Sequence, residues 1–191
     1  MSMDVKDIIQ DMCHITIEID NYCRGSTFTL SIAAINDIRN ATQHALMSLP
    51  SADEISHWEN DDRSRYETLR LAIILFSIAV VFPLPGVAEI RARVVRGLKV
   101  VIERSESESV WGDDPHTFLW ILVFGGMSAL DMDERSWFVK RLAGLSRTLN
   151  YLSWIDAANT MNEHLWLASA CDTAGRELWE EVTYEMVFIE I

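Results

Sequence analysis

LWILVFGGMSALDMDERSWFVKRL, residues 119–142, runs from a continuous apolar segment through a Gly-Gly pair into a charged segment. The apolar part ends after 12 residues, at Leu130, whereas a helix needs about 20 to cross a bilayer. The pattern therefore predicts a buried core helix and no membrane span. Because a Gly inside a helix costs about 1 kcal/mol in propensity, Gly125 and Gly126 indicate that another backbone or a ligand comes close, and close helix packing is the simpler interpretation.

The charged half of this stretch predicts the start of a second helix. Asp131 and Glu134 have the spacing of a capping box, with Asp in place of Ser or Thr. Apolar residues then recur every three to four positions from Trp137 onward. One helix is thus expected to end near Leu130 and the next to begin at Asp131.

Similar boundary signals occur along the whole chain. Asp114 and Pro115 form the pairing of N-cap and first-turn proline, and Ser153 with Asp156 repeats the capping-box spacing. Residues 14–19 alternate as a strand does, but no second strand is visible to pair with them, so a helix is expected there. The predicted helices cover 5–22, 28–49, 64–82, 87–104, 114–130, 131 onward, 153–166 and 172–186.

These boundaries predict an all-α protein. We expect a single globular bundle of about eight helices over residues 1–191, with two strongly apolar, buried helices that contain residues 71–82 and 119–130. The length of 191 residues and the 49% hydrophobic content suit a single folded domain.

The composition indicates which binding partners and which cellular compartment we expect. The formal net charge of -13 opposes contact with phosphate backbones and anionic membranes. The cysteines, Cys13, Cys23 and Cys171, are odd in number and form no CxxC motif, so neither a zinc site nor a disulfide framework is expected. The first residues lack the pattern of a signal peptide. These features favour an intracellular protein, in the cytoplasm or nucleus.

No catalytic motif is visible, and no metal or cofactor is expected. Asp131, Asp133 and Glu134 are clustered acids, but acids at a helix start serve the helix dipole. His116 follows Asp114 on the first turn of the apolar helix, where an imidazole can act as a general acid or base at a pocket mouth. A surface histidine near a cap is the alternative.

His164 is a third candidate polar group, and aromatic residues supply candidate pocket walls. His164 adjoins Glu163, but the two would point about 100° apart on a helix. Large aromatic side chains can line a small-molecule cavity or simply pack the core. The candidates for the walls are Trp120, Phe124, Trp154 and Trp166.

Four segments occur in a specific order between Arg63 and Val182. They are YETLRLAIILFSIAVVFPLP, FLWILVFGGMSAL, ERSWFVKRL and SWIDAANTMNEHLWLASACDTAGRELWEEV. Together they resemble the regulatory domain of fungal zinc binuclear-cluster transcription factors, and the similar region covers about residues 63–182. The resemblance implies an all-helical domain that follows a six-cysteine, DNA-binding zinc cluster and responds to effectors or partner proteins.

The sequence departs from that family in one important respect. It contains no six-cysteine cluster and no basic linker. The missing cluster and the acidic charge both oppose direct binding to nucleic acid. We therefore expect a freestanding regulatory-type domain.

Two functions are consistent with these features. The first is a regulatory module of secondary metabolism that binds an apolar small molecule, a protein partner or a second copy of itself in a homodimer. The second is a repurposed biosynthetic enzyme of cyclase, pericyclase or isomerase type, independent of metals and cofactors, which restrains an apolar metabolite as a near-attack conformer. In the second interpretation the polar groups are His116, Asp114 and His164, and the walls are Trp120, Phe124, Trp154 and Trp166.

Overall fold

The computed structural model describes residues 5–26, 30–55, 58–83, 86–104 and 110–188. All regular secondary structure in these ranges is helical, which confirms the predicted all-α fold class. The eight α-helices in these ranges are α1 Val5–Cys23, α2 Ile32–Met47, α3 Asn60–Phe76, α4 Ala88–Arg104, α5 Pro115–Ser128, α6 Arg135–Leu149, α7 Trp154–Met161 and α8 Ala168–Phe188.

The strand-like alternation of residues 14–19 lies within helix α1, as predicted. Ile8, Met12 and Ile15 are all buried, and their spacing of four and three residues puts them on one face of the helix. That face packs against α2 and, more sparsely, against α8. Helical periodicity at the apolar positions thus prevails over the local alternation.

Helix α3 begins at Asn60, four residues before the predicted start at Ser64. Ser64 and Glu67 have the spacing of a capping box, but the Glu67 carboxylate instead accepts hydrogen bonds from the Arg70 side chain and from the backbone N–H of Ala52. After Phe76 the chain continues as a π-helical turn, Ser77–Val81, which gives way to Phe82 and Pro83. The second half of α3 is buried, whereas its first turn is exposed.

Helix α5 occupies the middle of the bundle and contacts α3, α4, α6, α7 and α8. Ten of its residues are buried, from Phe118 through Gly126 together with Ser128. A β-carbon on Gly126 would lie 2.8 Å from Cδ2 of Leu178 on α8, and one on Gly125 would overlap the Phe138 ring of α6. The Gly-Gly pair therefore allows two helices to approach α5 closely, as the sequence indicated.

The start of α6 differs from the prediction. Asp131 has a left-handed backbone with φ 62°, and α6 begins only at Arg135, after an N-cap residue, Glu134, whose side chain makes no capping bond. The Asp131–Glu134 capping box is therefore wrong. Glu134 instead pairs with Arg96 of α4, at 3.3 Å, so a tertiary contact takes the carboxylate.

The last two helices have one confirmed and two corrected boundaries. The Ser153–Asp156 capping box is present, with the Asp156 carboxylate 2.9 Å from the Ser153 N–H and 2.8 Å from its hydroxyl. Helix α7 ends at Met161, not near Trp166, and α8 begins at Ala168, four residues before Asp172. The connection between them is buried at Leu165–Leu167. Because buried apolar residues follow α7 closely in sequence, the sequence predicted that the helix continued through them.

Within the described ranges, no helix combines the length and the apolar character that a bilayer span requires.

Candidate functional site

A cavity of about 460 Å³ lies where α1, α3, α5 and the α7–α8 connection meet. Its volume is within the range of about 300–1,000 Å³ that is typical of small-molecule sites. The apolar part of the wall consists of Ile9, Leu69, Ile73, Trp111, Trp120 and Leu165. The polar or titratable part consists of Lys6, Cys13, Arg65, Tyr66, Asp114, Thr117, Glu163 and His164.

Hydrogen bonds hold the His164 ring on both sides. Its Nδ1 lies 2.9 Å from the Thr160 carbonyl oxygen, and since a carbonyl can only accept, Nδ1 carries the hydrogen. In the neutral ring Nε2 is then an acceptor, and it receives the hydroxyl of Thr117 at 3.2 Å. The tautomer of this imidazole is thus set by its neighbours.

Trp120 forms a rigid part of the wall beside this histidine. Its indole N–H donates to the Leu165 carbonyl at 2.9 Å, which ties α5 to the α7–α8 connection. The indole also stacks on His164, with centroids 6.3 Å apart and planes 12° from parallel. The predicted wall residue Trp120 and the predicted polar residue His164 therefore belong to one cavity.

Asp114 lies at the rim of the same cavity and serves as the N-cap of α5. Its Oδ1 accepts the Thr117 N–H at 3.2 Å, as the sequence predicted. Thr117 therefore bonds Asp114 through its backbone and His164 through its side chain. Asp114 and His164, two predicted polar residues that are distant in sequence, are therefore both hydrogen-bonded to Thr117.

His116 is not among the residues that line this cavity. It is exposed, and its Nε2 lies 3.4 Å from the hydroxyl of Tyr151, whose ring is stacked on the imidazole. The Tyr151 hydroxyl also lies 2.7 Å from Oγ1 of Thr160. Both histidines therefore connect to Thr160, His116 through the tyrosine and His164 through the backbone carbonyl.

The other predicted wall residues form an aromatic cluster in the core. Phe124 lies 5.5 Å from Trp120 and 5.7 Å from Trp166, measured between ring centroids, and Trp154 lies 6.0 Å from Trp166. None of Phe124, Trp154 and Trp166 lines the 460 Å³ cavity. Of the four predicted wall residues, only Trp120 therefore lines this cavity.

Trp111 and Arg65 line the cavity but were not predicted as site residues. The Trp111 ring is stacked on Phe118 at 5.6 Å, and its buried indole N–H has no hydrogen-bond partner among the described residues. Arg65 donates to the Val110 carbonyl at 2.6 Å, pairs with Asp113, and places its guanidinium 5.4 Å from the Trp111 ring centroid. No feature of the sequence predicted that α3 lies next to residue 111.

Cys13 and Tyr66 also contribute titratable groups. Burial raises the pKa of the Cys13 thiol and the pKa of the Tyr66 hydroxyl, which donates to the Pro50 carbonyl at 2.7 Å. Both groups are therefore neutral near pH 7. Cys13 follows Ile9 by four residues, so helical spacing predicts that they share a face, but not which helix lies opposite.

Among the described residues, no group of three or more His, Cys, Asp or Glu side chains is placed to hold a metal ion. No protein-family model matches the chain, and neither a curated protein nor a solved structure matches it. The resemblance to the fungal regulatory domain therefore stays a prediction.

Proposed function

We propose that this chain is a helical, ligand-binding regulatory module, similar to the regulatory domains of fungal zinc-cluster transcription factors, and that it holds a small apolar molecule in the 460 Å³ cavity. The observation that carries the proposal is the cavity itself, which both Trp120 and Trp111 line; the buried indole N–H of Trp111 has no hydrogen-bond partner among the described residues. An unpaired buried donor is costly. A ligand oxygen that accepted this hydrogen would remove the cost.

The charges on the lining indicate what kind of ligand fits. Lys6 and Arg65 are cationic and Asp114 and Glu163 are anionic, so the formal charges of the lining cancel. The chain as a whole carries -13. The balanced charges of the lining favour a neutral, mainly apolar molecule with one or two oxygen acceptors, and the net charge opposes direct nucleic-acid binding.

The first experiment is native mass spectrometry of the protein purified from its own source, followed by mild denaturation. Release of a neutral apolar metabolite is expected. A co-purifying polypeptide without such a molecule would indicate a regulator that binds a protein partner instead.

A second experiment uses the neutral fluorophore N-phenyl-1-naphthylamine and a matched pair of variants. Leu69→Trp fills the cavity and is expected to weaken binding of the fluorophore about tenfold or more. Leu152→Trp makes the same substitution at an exposed position and is expected to leave binding unchanged. Equal binding by both variants would contradict the proposal.

Thiol labelling gives a test that needs no variant. Cys13 lines the cavity, whereas Cys23 is exposed on the same helix. Bound fluorophore is expected to slow alkylation of Cys13 and to leave Cys23 unaffected. Equal rates with and without the fluorophore would place its binding elsewhere.

A metal- and cofactor-independent enzyme of cyclase, pericyclase or isomerase type is the second candidate. It is favoured by His164, whose ring is fixed at the cavity wall beside Glu163. Because α7 ends before these residues, the 100° separation expected on a helix does not apply to them. Candidate polyene substrates should be converted faster by the wild type than by His164→Gln; conversion equal to the protein-free control excludes this candidate.

A further inference from the structure

A second cavity, of about 230 Å³, lies between the π-helical turn, the first turn of α4, α5 and α8. Most of the side chains that line it are apolar. Among the described residues, Arg91 is the single charged residue that lines it, and no acidic residue does so. Ser128 and Cys171 add a hydroxyl and a thiol. This composition differs from that of the first cavity, where cationic and acidic residues balance.

Arg91 has no anionic partner in the described part of the chain. Its Nε is buried without a hydrogen bond, and no ion pair involves its guanidinium there. Arg70 pairs with Glu67 and Arg135 with Glu181, whereas Arg39, whose Nε also lacks a hydrogen bond among the described residues, lies over the Phe82 ring. In a chain with 29 acidic and 16 basic residues, an arginine without a partner indicates a position for an external anion, because an unpaired buried donor is costly.

The shape of the cavity depends on the π-helical turn and on small residues of α8. The Phe82 N–H bonds the Ser77 carbonyl at 2.7 Å, five residues back, and such single π turns are frequent at functional sites. Ala170 and Ala174 lie one helical turn apart and both line the cavity. Their short side chains leave the space that a larger residue would fill.

We propose that this second cavity binds a small apolar carboxylic acid as its anion. The carboxylate would accept two parallel hydrogen bonds from the Arg91 guanidinium, a geometry that arginine favours. The apolar part would contact Phe124, Met127 and Cys171. An apolar cavity of about 150 Å³ holds benzene and drug-sized ligands need about 300 Å³ or more, so 230 Å³ suits a molecule the size of benzoate or hexanoate.

The test is calorimetric titration of the full chain with benzoate and with hexanoate, with benzyl alcohol as the neutral comparison. Saturable binding of a carboxylate and none of the alcohol is expected. Arg91→Gln should weaken carboxylate binding about 30-fold or more, the cost of removing one member of a buried charge pair. Arg93→Gln, an exposed arginine on the same helix, should change it less than about twofold.

A cavity-filling variant separates loss of the site from loss of the fold. Ala174→Leu is expected to abolish carboxylate binding and to retain binding of N-phenyl-1-naphthylamine in the first cavity. If the fluorophore does not bind the wild type, an unchanged helical circular-dichroism spectrum shows that the variant folds. Failure of both carboxylates to bind the wild type, or equal binding by wild type and Arg91→Gln, would overturn the proposal.

Discussion

The Phe138 ring of α6 occupies the space that a side chain on Gly125 of α5 would need. Gly125 is buried, and Phe138 has no exposed surface. The contact therefore joins the central helix to its neighbour at a point where neither residue can move toward solvent. It explains why a residue with poor helix propensity lies within an apolar helix.

Gly125→Ala is expected to destabilise the protein despite the better helix propensity of alanine. The gain in propensity is about 1 kcal/mol, whereas overpacking of a core costs about 1–3 kcal/mol, and here a whole aromatic ring must shift. We expect a net loss of up to about 2 kcal/mol in the free energy of unfolding, measured by urea denaturation.

Gly144→Ala on α6 provides the control, since nothing lies within 4 Å of its added β-carbon. That variant should gain about 0.5–1 kcal/mol. Adding Phe138→Leu to Gly125→Ala should recover part of the loss, because the two side chains are in contact. Additive effects of the two substitutions would contradict the clash.

Arg135 is expected to contribute more to stability than its acidic partner. It donates to the Gly126 carbonyl at 2.6 Å and to the Glu181 carboxylate at 2.7 Å. Arg135→Met removes the charged donor from the Gly126 carbonyl, which keeps only the Ala129 N–H at 3.1 Å, and should cost about 1–3 kcal/mol. Glu181→Gln should cost at most about 1 kcal/mol because that side chain is half exposed.

Chemical denaturation of both variants checks this order. Arg96→Gln is the control, since Arg96 is largely exposed in its pair with Glu134. Its effect should be close to zero. An equal loss for Arg135→Met and Glu181→Gln would show that the ion pair, and not the carbonyl contact, dominates.

Because the Cys171 thiol is buried, we expect the protein to lose stability at alkaline pH. Burial raises the pKa of its thiol to about 11 from an ordinary value of 9.0. Between these values the unfolded chain loses the proton and the folded chain keeps it, so the free energy of unfolding falls as pH rises. At about 1.4 kcal/mol per pKa unit, the loss by pH 11 is about 2–3 kcal/mol.

Urea unfolding of wild type and Cys171→Ala at a series of alkaline pH values tests this linkage. The stability difference between the two should change across the window from 9.0 to about 11. Cys23→Ala removes an exposed thiol and should leave the alkaline dependence of the wild type intact. A constant difference between wild type and Cys171→Ala would refute the prediction.

Because the Asp156 carboxylate accepts hydrogen bonds in the capping box, we expect the protein to lose stability at acidic pH. Hydrogen bonds from the Ser153 hydroxyl and backbone N–H lower the pKa of its carboxyl below the ordinary 3.8. The contribution is therefore fully present above 3.8 and is lost as pH falls through the lower, folded value. Melting curves at decreasing pH should show that wild type and Asp156→Asn converge in acid, whereas Glu177→Gln, on an exposed side chain, should not alter the acid dependence.

The boundaries that the sequence predicted correctly rest on hydrogen bonds within four residues. The Asp114 cap and the Ser153–Asp156 capping box are both of this kind. Asp131 with Glu134 has the same spacing and fails, because the Glu134 carboxylate pairs with Arg96 of another helix. Local spacing cannot show which competing partner lies nearby.

By itself, the sequence determined the all-α class, most helix positions and the close packing at Gly125 and Gly126, because apolar periodicity and glycine act within one helix or at its nearest contact. Only the tertiary structure decided that His164, and not His116, lies on the cavity wall. It also decided that Trp111 and Arg65 belong there and that Arg91 lies on a second cavity without an acidic partner from the described ranges. The physical reason is that helical spacing establishes which face a residue is on, whereas a cavity requires several faces, distant in sequence, to meet without filling the space between them.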